Sequence, residues 1–147
     1  MMQFLRDAPE GGALSLGEFA RRALTRVRRP GLVALITDFF DRAGHEAALA
    51  QIVARRHEAI VIHVLDREEW SPTMAGDLRL IDAEDEEATE ISVTPALLES
   101  YRRRASAWSE EIEAYCTRRG MTYLRVLNDD AAEEVVLKTL RRLGRIE

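Results

Sequence analysis

Asp38, Asp41 and Asp66 are the residues of this chain whose type and setting could do chemistry. Asp38 follows Thr37 at the end of the apolar run Leu32 to Ile36, and Asp41 lies three residues further on. Asp66 closes a second apolar run in the same way. If the two runs are neighbouring parallel strands, Asp38 and Asp66 stand at adjacent strand ends, within roughly 5–10 Å for a strand spacing of about 4.8 Å. Carboxylates so placed suit a divalent cation or a general acid/base pair. The competing reading is structural. A strand-end aspartate accepts hydrogen bonds from the backbone N–H groups of the next turn, and Asp41 then serves as a turn or cap residue. No nucleophile or oxyanion donor set joins these acids, so no catalytic residue is assigned.

The other reactive side chains carry less. His63 sits inside an apolar strand pattern and reads as a satisfied or edge-facing core histidine, while His45 and His57 fall on helix surfaces or ends. Three histidines without acidic partners at helical spacing make no zinc pattern. Cys116, the one cysteine, is expected to be a half-buried apolar residue on a helix. Gly11-Gly12 is not followed by the glycine or Gly-Lys-Ser/Thr pattern of a phosphate cradle. Trp70 falls in a connecting segment, where it either anchors a partner or folds back over the structure that follows.

The elements that must position these residues alternate in type. Ser15 and Glu18 form a capping-box pattern ahead of a helix ended by Pro30-Gly31. Residues 32–37 read as a strand without polar alternation, hence one covered on both faces. "GHEAALAQIVARR" is a helix with Leu49, Ile52 and Val53 inward, and 59–65 is a second strand. Residues 77–93 suggest an inserted β-hairpin with an acidic tip, Glu84 to Glu87. A long helix follows, capped by Thr94, with Pro95 first and Gly120 at its end. Its residues Leu97, Tyr101, Ala105, Trp108, Ile112 and Tyr115 form a continuous stripe predicted to be buried. Residues 122–126 make a third strand, and a last helix is predicted to be capped by Asp130 with Glu133 reaching back. Such alternation implies an α/β fold, a three-layer Rossmann-like parallel sheet, and one domain over 1–147.

Composition narrows the classes further. The 147 residues suffice for a core, and 46% apolar with 32% charged residues is ordinary for a globular protein. A net charge of −5 gives no general attraction to nucleic acid or an anionic membrane. The triplet Arg102-Arg103-Arg104 lacks the interleaved aromatics of a nucleic-acid groove and reads as a solvated face. A single cysteine excludes an intrachain disulfide, and no run approaches the roughly 20 apolar residues of a membrane span. A cytoplasmic protein is expected, with no cofactor.

The phrases "RRPGLVALITDFFD", "ARRHEAIVIHVLD", "GDLRLIDAE", "VTPALLESYRRR" and "YCTRRGMTYLRV", in that order, resemble the C-terminal half of the bacterial domain-of-unknown-function family DUF58. The resemblance covers nearly the whole chain. It implies a von Willebrand factor A-like sheet of order 3-2-1-4-5-6, of which this chain would supply strands 4, 5 and 6, with strands 1 to 3 lying upstream. It also implies an interaction module associated with MoxR-type AAA+ ATPases. Such folds often carry a Mg²⁺ site built from an Asp-x-Ser-x-Ser loop, a threonine and an aspartate after strand 4. Asp-x-Ser-x-Ser is absent here, and Leu14 stands where the threonine would fall; only Asp38 remains, a remnant ligand too few for Mg²⁺.

The reading is therefore a non-enzymatic protein–protein interaction module. Asp38, Asp41 and Trp70 are its interaction candidates. Its partner would be an AAA+ ATPase or a chain, including a second copy, that pairs with edge strand 32–36. The alternatives are a truncated or split gene product without independent activity, and a metal-assisted hydrolase using Asp38, Asp41 and Asp66.

Overall fold

The computed structural model describes residues 14–41, 44–74, 76–81 and 88–144. The acidic tip Glu84 to Glu87 and Gly11-Gly12 lie outside them. Helix α1 spans Leu16–Thr25, strand β1 Leu32–Thr37, helix α2 Glu46–Ala54 and strand β2 Glu58–Leu65. A one-turn helix, α3, covers Arg67–Trp70. Strands β3 (Gly76–Ile81) and β4 (Ala88–Val93) form the hairpin, and α4 (Pro95–Arg118), β5 (Thr122–Leu127) and α5 (Ala132–Arg142) complete the order. The predicted strands thus agree with the structure to within a residue at each end. Trp70, expected in a connecting loop, closes α3 instead, because Asp66 and Glu69 form a capping box at its start.

The strands fall into two sheets. β1, β2 and β5 form a parallel sheet in that order, and β3 pairs with β4 antiparallel as a separate ribbon. In the parallel sheet Thr37 lies opposite His63, and His63 opposite Arg125. β2 is central and its burial is nearly continuous, whereas β1 buries only Leu35 fully. Both connections, β1–α2–β2 and β2 through α4 to β5, are helical crossovers of the kind parallel strands require.

One face of the sheet holds the main core. Leu35, Val61 and Tyr123 pack there with Leu24 of α1, Leu49 and Ile52 of α2, and Ile112, Tyr115 and Cys116 of α4. Helices α1 and α2 meet closely: a Cβ on Gly17 would stand 3.4 Å from the Ala47 side chain. Gln51 Nε2 donates to Gly17 O at 2.9 Å, and Arg55 Nη1 to Leu24 O at 2.7 Å. Helix α5 packs against β5, whose Leu124 and Val126 are also buried but alternate with Tyr123.

Capping follows the sequence in two of three helices. Ser15 Oγ accepts from Glu18 N at 3.2 Å, and Thr94 Oγ1 from Leu97 N at 3.2 Å. Gly120 takes φ +71°, the left-handed conformation that ends α4. Asp130 does not cap α5, whose N-cap is Ala131 with no side-chain bond. The Asp130 carboxylate turns back instead and accepts from Leu127 N at 3.1 Å, closing the turn after β5. His57 lies just past the C-terminal end of α2. It is buried, and its Nδ1 accepts from Gly31 N at 3.0 Å, fastening the entry of β1 to that of β2.

Candidate functional site

The carboxyl ends of β1 and β2 are where an open α/β sheet places ligands. There Thr37 Oγ1 accepts from Phe39 N at 3.1 Å, and Asp38 Oδ1 accepts from Phe40 N at 3.0 Å. These two side-chain turns carry the chain off the strand and hold Phe39 at φ +62°. A bulky residue seldom adopts that conformation, which costs on the order of 1–2 kcal/mol. Phe39 is buried all the same, its ring edge-on to His45 at 5.6 Å and to His63 at 5.1 Å. The turn thus aims Phe39 into the core and Phe40 outward, where Phe40 stacks on Trp108 at 5.6 Å.

The three acids singled out in the sequence are placed separately. Asp38 holds its own turn. Asp41 Oδ2 accepts from Leu16 N, the first residue of α1, and its carbonyl accepts from Gly44 N at 2.9 Å. Asp66 Oδ1 accepts from Glu68 N at 2.8 Å, and Oδ2 from the Asn128 side-chain amide. Among the described residues, no three His, Cys, Asp or Glu side chains are grouped so as to hold a metal ion.

Sequence reasoning missed the polar chain that crosses the core beside this edge. Arg125 Nη1 donates to Ser109 Oγ at 3.2 Å, Ser109 and Tyr123 hydroxyls meet at 3.0 Å, and Tyr123 OH meets His63 Nδ1 at 2.7 Å. Ser109, Tyr123 and His63 are all buried. Burial holds the His63 imidazole down at a pKa of about 4, against the opposing pull of the Asp38 backbone and with help from the Arg125 charge. The Asp38 backbone closes no hydrogen bond of normal geometry, so His63 Nε2 has no partner among the described residues. Burial also raises the Tyr123 hydroxyl and pushes the Cys116 thiol up to about 11, far from the range of a reactive thiolate. The available signal for this chain was a histidine and a serine on faces otherwise apolar.

Trp70 belongs to the outer part of the same edge. The Arg125 guanidinium lies 4.1 Å over its ring. Trp70, Leu65, Phe40, Tyr101, Ala105 and Trp108, with Glu69 and Arg104, line a half-open cavity of about 270 Å³. Asp38 and Asp41 are not among its walls. The sequence candidates therefore divide: Trp70 joins a cavity, while the two acids serve turns and a helix start.

Fold and site together define an α/β protein with a small parallel sheet and an aromatic cavity at the strands' carboxyl ends. The chain belongs to the family described as protein of unknown function DUF58, which matches residues 2–111. It is similar to the uncharacterized protein Rv1480 of Mycobacterium tuberculosis (strain H37Rv) and the uncharacterized protein Mb1516 of Mycobacterium bovis. Each is 32% identical over 152 aligned residues, covering 98% of this chain. The chain spans only 47% of the length of these relatives. No solved structure matches it significantly. Among the described residues, no helix is long and apolar enough to cross a membrane.

Proposed function

We propose that this chain is a non-enzymatic protein–protein interaction module that docks through the open side of β1. The observation that carries this reading is the strand itself. Among the described residues β1 pairs with β2 alone, and its sequence LVALIT has no charge to discourage a further strand. Glu58 N donates to Gly31 O at 3.0 Å, so the backbone groups of alternate residues 31, 33, 35 and 37 face β2. Those of Leu32, Ala34 and Ile36 face away from it. Leu32 and Ile36 are 58% and 65% exposed, unusual for apolar residues in a parallel sheet.

The occupant that fits is a strand from the part of the family polypeptide that this chain does not span. The relatives are about twice as long as the matched region, so such a segment exists in the family. The order β1-β2-β5 agrees with strands 4, 5 and 6 of a von Willebrand factor A-like sheet, in which an earlier strand would lie beside β1. A MoxR-type AAA+ ATPase, implied by the resemblance, would then engage the completed domain. The hydrolase alternative has less support, because Asp38, Asp41 and Asp66 each serve separate backbone or amide partners.

The test is hydrogen exchange of β1 amides in this chain, alone and with the non-overlapping half of a family relative supplied in trans. Slowing at Leu32, Ala34 and Ile36 on mixing is expected. Unchanged exchange at those amides, with mixing confirmed to give no complex, counts against edge docking.

A further inference from the structure

The parallel sheet has a second face, opposite the main core, and it is covered only in part. Register-paired residues of neighbouring strands share a face. Leu32, Ala34 and Ile36 of β1 therefore lie beside Ile60, Ile62 and Val64 of β2, and these beside Leu124 and Val126 of β5. Burial falls across this face from β5 to β1. Leu124, Val126 and Ile60 are buried, Ile62 and Val64 half-buried, and Leu32, Ala34 and Ile36 exposed. Helices α1, α2 and α4 all pack into the main core on the other face. That leaves α5, packed on β5, as the described helix that covers this one. No residue of α5 is fully buried.

The orientation of α5 shows which neighbour it lacks. Asn128 N donates to Leu65 O at 2.9 Å, so alternate residues 124, 126 and 128 bond towards β2, and Tyr123 O points off the outer edge of β5. Arg142 of α5 donates to that Tyr123 O and reaches Glu113 of α4 at 3.7 Å, wrapping the outer edge. Val136 and Leu140 fall on the opposite flank of the helix, the one towards β2 and β1. Val136 lies between half-buried Leu140 and Leu143 around the helix, yet it is 56% exposed. Two strand spacings, roughly 10 Å, separate β5 from β1, and packed helices stand about 8–10 Å apart. One helix beside α5 fits over β1.

The hand of the crossovers says where that helix comes from. α2 and α4 lie on the main-core face and carry the chain from β1 to β2 to β5. Crossovers between parallel strands are right-handed in about 98% of cases. On the second face the same hand steps the opposite way, towards β1 and past it. A crossover helix over β1 on this face therefore joins strands that lie beyond its open side. The relatives, of which this chain spans 47% of the length, have the further chain to supply it.

We infer that the bare half of this face seats one amphipathic helix, against Ile36, Ile62 and Val136, from the part of the family polypeptide that this chain does not span. The inference rests on the reading of β1 as that polypeptide's docking edge and assigns it a second, separate surface. The test places the methyl-labelled full chain, alone and coexpressed with the non-overlapping half of the Mycobacterium tuberculosis relative, in a soluble paramagnetic agent. Alone, the methyls of Leu32, Ile36 and Val136 are expected to broaden. In the complex they should be protected together with Ile62 and Val64, while Leu97 on α4 still broadens. Methyl contacts from Ile62 and Val136 should run to partner residues three and four apart, the period of a helix. Val136→Lys, at a position already exposed, should weaken the complex about tenfold, the loss of one buried valine.

Val136 methyls that still broaden in the complex, contacts to every second partner residue, or full affinity in Val136→Lys would each overturn the inference. Protection of Val136 in the chain alone, by its own residues or by a second copy, would do the same. If no complex forms, this inference and edge docking fall together. β1 amides that slow while the Ile62 and Val136 methyls stay unprotected remove the helix and leave edge docking standing. Protected methyls with unslowed β1 amides remove edge docking alone.

Discussion

At the scale of residues, the buried polar chain is fixed at its exposed end. Arginine only donates, so Ser109 Oγ accepts from Arg125. The Ser109 and Tyr123 hydroxyls then share one hydrogen bond, and Tyr123 OH pairs with His63 Nδ1. Removing the middle member leaves two buried polar groups short of a partner. Tyr123→Phe is expected to cost about 1–3 kcal/mol in urea denaturation. The same burial makes stability pH-dependent. Folded His63 titrates near 4 and the unfolded residue near 6.5, so between those values only the unfolded chain takes up the proton. The contribution is intact above pH 6.5 and is lost as pH falls towards 4. From pH 7 to pH 5 the loss amounts to about 2 kcal/mol. Denaturation curves of wild type and His63→Gln at the two pH values check this: the variant should lack that share of the difference. None of this chain was legible as a set in the sequence. His63 read as a core residue, but its partners lie some 46 and 60 positions away, at Ser109 and Tyr123, and only the sheet register and the α4 crossover bring them together.

At the scale of elements, α4 shows what periodicity can and cannot establish. The apolar stripe is real, and Ile112 and Tyr115 at its C-terminal end are buried. Leu97 and Tyr101 at the other end are 40% and 42% exposed. A 24-residue helix is about 36 Å long, whereas a six-residue strand runs about 20 Å. The stripe outreaches the sheet that covers it, and its outer half becomes a wall of the aromatic cavity. A hydrophobic repeat states that a face is apolar; it does not state how long the covering surface is. Ile112→Ala should therefore cost about 2–5 kcal/mol and Leu97→Ala less than about 1 kcal/mol, although both belong to one stripe. Chemical denaturation of the two variants distinguishes this from a uniformly buried helix, for which the costs would be similar. Caps were legible where the polar residue directly precedes the helix, as at Ser15 and Thr94. Asp130 was misread because the turn after β5 has a competing use for its carboxylate, the Leu127 N–H.

At the scale of the whole molecule, alternation of strand and helix patterns was enough to identify the parallel sheet, its three strands and the separate hairpin. The cavity was legible only through Trp70, since Phe40, Tyr101 and Arg104 come from segments whose meeting depends on the packing of α4. The open side of β1 follows from strand order, and it carries the largest physical consequence. Arg28, Arg29 and Pro30 precede the strand and Asp38 follows it, so charges flank the edge without interrupting it. Flanking charges slow non-specific aggregation but leave the N–H and C=O groups of Leu32, Ala34 and Ile36 available to a strand. In the absence of another occupant, the nearest complementary edge is β1 of a second copy. Two copies related by a twofold axis would meet antiparallel there and cover Leu32 and Ile36 on both sides. The chain alone should show concentration-dependent dimerisation in sedimentation equilibrium. Ala34→Pro removes one donor on the open side only, since residues 33 and 35 make the bonds to β2. Ile36→Lys places a charge at the most exposed apolar position of the strand. Each should shift the equilibrium to monomer while leaving the far-ultraviolet circular dichroism of the folded chain in place. A wild type that stays monomeric at every concentration, or variants that dimerise as well as it does, would mean that β1 is not the adhesive edge.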